Sequence, residues 1–60
     1  MLWISTINRG IVRYHIKTGK TDYITRENTE HRLSHNDVYD LISIGNRRYL
    51  AATWGGLTII

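Results

Sequence analysis

Two stretches of this chain copy one another, and that repeat limits the possible folds more than any other feature. Leu2-Trp3-Ile4-Ser5-Thr6-Ile7 and Tyr49-Leu50-Ala51-Ala52-Thr53-Trp54 share one order: large, large, small-to-medium, small, Thr, large. Each leads into a glycine and an aliphatic residue, Gly10-Ile11 in the first copy and Gly56-Leu57 in the second. The offset is 47 residues at the threonines (positions 6 and 53) and 46 at the glycines (positions 10 and 56). A unit copied at such a period buries its apolar surface against its neighbours, so one copy alone is incomplete.

The rest of the pattern is strand and turn. Ile11–Ile16 alternates, with Val12, Tyr14 and Ile16 on one face. Lys17-Thr18-Gly19-Lys20 reads as a hairpin turn with Gly19 left-handed, and Asn8-Arg9-Gly10 as an earlier break. Thr21–Thr25 has the polar mix of an outer, partly wet strand. Residues 26–32 are polar throughout and read as a loop. In Leu33–Asp37 turn chemistry dominates, and Ser34 is placed to cap a one-turn helix, with Asp37 three residues on. Val38–Ile44 reads as a strand with Val38, Ile42 and Ile44 facing one way and Tyr39 and Leu41 the other. Gly45-Asn46 is expected to turn the chain into Tyr49–Trp54, and Gly55-Gly56 to break it before Leu57–Ile60. Four short strands at a period of ~40–50 residues match one propeller blade. The expected fold is therefore all-β, with antiparallel strands forming about one blade of a β-propeller, permuted across two blades. Residues 1–32 supply the later strands of one blade and residues 33–60 the first strands of the next. Both ends then fall mid-sheet, and Met1 followed at once by a strand reads as a truncation or an internal start.

Length and composition exclude several classes. Sixty residues make one domain at most. A chain of this size buries only ~60% of its unfolded surface. With no cysteine it has no disulfide, thiolate zinc site or thiol nucleophile. No apolar run approaches the ~20 residues of a membrane helix. The N-terminus lacks the basic-then-apolar order of a signal peptide. The net charge is +3, with six arginines spread along the chain and only Arg47-Arg48 adjacent. Charge so dispersed is expected to solvate the surface rather than to make a nucleic-acid face.

Several residues superficially suggest chemistry. Gly19-Lys20-Thr21 resembles the end of a phosphate-binding loop, but that loop needs glycine where Tyr14 stands. His31 and His35 are four apart in a polar loop without a good third ligand, so no metal site is expected. Ser34, His35 and Asp37 are too close in sequence to adopt the geometry of a nucleophile, base and orienter. No catalytic residue and no cofactor are assigned. Trp3, on a repeat strand, is expected in the core. Trp54, beside Gly55-Gly56 at a strand end, is a candidate ligand contact, as are Asn8 and Arg9 in the equivalent loop of the first copy. Arg9 and Arg13 are also suited to pairing with a carboxylate or a sugar hydroxyl.

Leu33-Ser34-His35-Asn36-Asp37-Val38-Tyr39, the Gly45-Asn46 turn, Tyr49-Leu50-Ala51-Ala52-Thr53 and Gly55-Gly56-Leu57 together resemble the two-component regulator propeller repeat. Leu2–Thr6 through Gly10-Ile11 resembles the second half of that repeat. Arg13-Tyr14 through Lys17-Thr18-Gly19-Lys20 resembles its R-Y-D-x-x-T-G-K segment. The chain departs from the pattern at Ser5 and Ala52, where glycine is usual, at Leu50 for tryptophan and at His15 for aspartate. The resemblance implies the periplasmic sensor propeller of a bacterial hybrid histidine kinase of the Bacteroides type. Such a propeller senses glycan-derived signals and is itself non-catalytic. The implied partners are other blades or further copies of the chain, and an oligosaccharide ligand in the full-length parent. The competing expectation is a small basic β-protein that binds single-stranded nucleic acid through its arginines and interleaved Tyr and Trp.

Overall fold

A computed structural model describes residues 1–60, and all regular structure in it is β. Strands β1 (Leu2–Ser5), β2 (Ile11–Tyr14) and β3 (Thr21–Ile24) form one antiparallel meander. Strands β4 (Val38–Gly45), β5 (Arg48–Thr53) and β6 (Gly56–Ile59) form a second. The six strands form two separate three-stranded sheets, the first within residues 1–32 and the second within residues 33–60.

The turns follow local chemistry. Asn8 and Gly10 both take positive φ, at 77° and 71°, and close β1 onto β2. Gly19 at φ 74° closes β2 onto β3, with its amide donating to the His15 carbonyl at 2.8 Å. The β4–β5 turn falls one residue later than expected, on Asn46 and Arg47 with φ of 51° and 58°. Two left-handed residues match the right-handed twist of the flanking strands, which is why this turn type suits a two-residue hairpin.

No helix forms after Ser34. The Ser34 hydroxyl instead bonds the Thr58 hydroxyl, and the Thr58 oxygen accepts the Ser34 amide at 3.1 Å. Helix-like turns appear earlier, within residues 25–32. There the Thr25 amide donates to Asn28 Oδ1 at 2.8 Å and the Asn28 amide to Thr25 Oγ1 at 3.0 Å. Asn36 ties this loop to the next segment, accepting from the Arg26 amide at 2.7 Å and donating to Glu27 at 2.7 Å.

Strand β4 departs from simple alternation. Val38 pairs with Thr53 and Asp40 with Ala52, so Tyr39 is an extra residue in a bulge. A bulge reverses the facing of everything beyond it. Leu41 therefore joins Val38 on the inner face, while Ile42 and Ile44 point outward, 51% and 46% exposed. The expected grouping of Val38 with Ile42 and Ile44 is thereby corrected.

The two sheets meet face to face. Ile11, Leu33, Val38 and Ala51 form the buried centre, with Trp3, Ile24, Leu41 and Ile60 packed around them. Two backbone bonds close the seam: the Val38 amide donates to the Thr6 carbonyl and the Gly10 amide to the Asn36 carbonyl, each at 2.8 Å. Only six of the 60 residues are buried. The accessible surface is 4426 Å², about a tenth above the ~4,000 Å² expected of a compact 7.0 kDa monomer.

Gly10 is where backbone approach is tightest, since an added Cβ would lie 2.2 Å from the Ile24 carbonyl oxygen. Gly19 has a similar φ but open space around it. Gly10→Ala should lose ~2 kcal/mol or more from strain and clash together, against ~1 kcal/mol for Gly19→Ala from strain alone. Urea denaturation followed by circular dichroism checks this order.

Candidate functional site

The structure carries the repeat into three dimensions. Thr6 Oγ1 donates to the Gly10 carbonyl at 2.6 Å, and Thr53 Oγ1 to the Gly56 carbonyl at 2.8 Å. Strand registers agree as well: Trp3, Ile4 and Ser5 pair with Arg13, Val12 and Ile11, as Leu50, Ala51 and Ala52 pair with Ile59, Thr58 and Leu57. The copies differ in what covers them. Ile11 is wholly buried between the sheets, whereas its counterpart Leu57 is 70% exposed. The inner face of the first sheet thus corresponds to the outer face of the second. Conversely, Ile4 and Val12 on the outer face of the first sheet correspond to Ala51 and Thr58, both buried inside.

Both outer faces are largely apolar, with Thr21 on the first and Asp40 on the second as their polar members. The first carries Leu2, Ile4, Val12, Tyr14 and Tyr23, and the second Ile42, Leu50, Ala52, Leu57 and Ile59. Monomeric proteins seldom leave such contiguous faces in water, and those they do leave mark interaction surfaces.

Between the sheets, at the end where Tyr49 pairs with Ile60, lies a polar and aromatic cluster. Trp3 stacks on Tyr49 with ring centroids 4.1 Å apart, and the Arg13 guanidinium lies over the Trp3 ring at 5.5 Å. Arg13 faces Asp22 directly across β2 and β3 and grips it with two bonds, Nε to Oδ1 at 2.6 Å and Nη2 to Oδ2 at 3.0 Å. His15 Nε2 reaches the same Oδ2 at 3.1 Å. The hydrogen bond from Arg13, and secondarily that from His15, holds the Asp22 carboxyl below its ordinary value. A cleft of about 570 Å³ opens beside this cluster, lined by Trp3, Arg13, Ile24, Arg47, Tyr49 and Ile60 along with Met1. A neighbouring cleft of about 310 Å³ shares Arg13, Ile24 and Ile60 and adds Thr29, Arg32 and Ile59.

The candidate ligand residues Trp54, Asn8 and Arg9 lie at the opposite end of the strands, in the β5–β6 and β1–β2 loops. Trp54 is 73% exposed, and none of the three lines any of the four surface clefts. Ser34, His35 and Asp37 do not converge: Ser34 turns to Thr58, while His35 Nδ1 accepts the Asp37 amide at 2.9 Å. No three His, Asp or Glu side chains gather with the spacing of a metal site. No helix is long and apolar enough to cross a membrane. The Trp3–Arg13–Asp22–Tyr49 cluster was not assembled from sequence, although one signal for it was present. A hairpin centred on the Gly19 turn sets Arg13 opposite Asp22 and places His15 nearby.

No protein-family model, curated protein or solved structure matches the chain.

Asp22 supports stability only while it is ionised. Its pKa is lowered by folding, so its contribution is present above the ordinary value of 3.8 and lost as pH falls through the lower folded value. Asp22→Asn should therefore lower the urea midpoint at neutral pH. The gap between the two proteins should close in acid below 3.8. Parallel denaturation curves across pH check it, and a gap unchanged in acid would contradict the ion-pair account.

Proposed function

We propose that this chain is a fragment, with strands from two adjacent blades, of an extracytoplasmic sensor propeller serving a two-component histidine kinase. In this reading it is structural and ligand-sensing, probing glycan-derived signals in the periplasm, and the catalysis belongs to a kinase domain elsewhere. The observation that carries the reading is the unequal burial of Ile11 and Leu57, two residues in the same position of a repeat. A position filled by a neighbouring sheet in one copy and bare in the next is what a stacked array of repeats would leave at its end, and it supports this reading. The motif resemblance supplies the family, and the two apolar outer faces supply the places where neighbouring blades pack. Strands β1–β3 then stand for the later strands of one blade, and β4–β6 for the first strands of the next.

The isolated chain should associate through these faces. Light scattering behind size exclusion is expected to give a mass above 7.0 kDa that rises with concentration. Leu57→Asp, at a site open to water in the single chain, should return the mass to that of a monomer and leave the circular dichroism unchanged. A folded monomer at every concentration would overturn the array reading.

A further inference from the structure

The cleft between the sheets has a composition that the array does not explain. The residues lining its two neighbouring lobes, which share Arg13, Ile24 and Ile60, include three arginines, Arg13, Arg32 and Arg47, and no aspartate or glutamate. Arg13 is committed to Asp22, its cross-strand partner on the same face of the sheet. Arg32 and Arg47 have no carboxylate within ion-pair distance and stand exposed at the two lobes. Between them the wall is largely apolar, made by the Trp3–Tyr49 stack with Ile24 and Ile60. The larger lobe, about 570 Å³, is a groove open to water along one side. Guanidinium groups recognise planar oxyanions through paired N–H donors, and aromatic walls hold ring-shaped bodies.

We infer that this cleft binds a small anionic ligand with a ring-shaped body. The carboxylate or phosphate meets Arg47 or Arg32, and the ring lies against Trp3 and Tyr49. Asp22 serves as a positioning residue, because its bidentate grip on Arg13 fixes the guanidinium over Trp3. The inference rests on the cleft alone, so it survives or falls independently of the sensor reading.

The test uses the whole chain carrying Trp54→Phe. Trp54 lies at the far end and is largely exposed, so this variant leaves Trp3 as the only fluorescent indole. Benzoate and glucose 6-phosphate are titrated against their uncharged counterparts benzamide and glucose. One charged probe or both should change the Trp3 emission saturably, more weakly as salt is raised, and the neutral partner should not. Which of the two binds tells a carboxylate source from a sugar phosphate. Arg47→Gln and Arg32→Gln both change exposed side chains, and circular dichroism monitors the fold. At least one of them should weaken binding about tenfold or more, the effect of losing one charge-assisted hydrogen bond. Amide shifts in NMR should centre on Tyr49 and Ile60 rather than on the Trp54 loop. Equal binding of charged and neutral probes, or full affinity in both arginine variants, would overturn the assignment. So would binding confined to an oligonucleotide such as an oligo-dT, with no response to either small anion.

Discussion

The structure depends on the seam where the chain passes from one sheet to the other. The Val38 amide on the Thr6 carbonyl and the Gly10 amide on the Asn36 carbonyl lock the start of β4 beside the end of β1. That clamp brings the two inner faces together and lets Ile11, Leu33, Val38 and Ala51 exclude water from one another. It works only because Gly10 has no side chain, since the backbone of Ile24 occupies the space a Cβ would need. The apolar burial is small, so little else holds the sheets in this relation. A modest stabilisation resting on a few residues is what a chain of this length can supply.

The same seam makes the molecule two-sided. Each sheet spends one face on its partner inside the chain and leaves the other face apolar. The two remaining faces are not alike, because the repeat maps the outer face of the second sheet onto the inner face of the first. Surfaces that differ in this way meet head to tail, and head-to-tail contacts close into rings or extend as arrays. The larger arginine cleft lies at the end of the strands where Tyr49 and Ile60 pair, and the smaller one reaches Ile59 at the edge of the second sheet's outer face.

Most of the strands were legible from residue pattern, because β-branched and aromatic runs between Gly and Asn turns have few alternatives. The repeat was legible too, down to the Thr and Gly positions that prove to be joined by equivalent hydrogen bonds. The orientation of β4 was not. Its facing depends on a bulge at Tyr39, which follows from how Val38 must meet both Thr6 and Thr53, and nothing in residues 38–44 shows this. The cap assigned to Ser34 failed for a related reason, since its hydroxyl found Thr58, 24 positions away.

What the sequence by itself determined is therefore local and periodic: the all-β class, the turns at Gly10 and Gly19, and a unit that occurs twice. Those features arise from φ preferences and side-chain alternation over a few neighbouring residues. Only the tertiary structure decided that Ile11 is buried where Leu57 is bare, and that Trp3, Arg13 and Tyr49 gather at one cleft with Asp22 holding Arg13. Each of these depends on contacts between residues far apart in sequence, and a register shift of one residue would have turned every side chain involved to the other face.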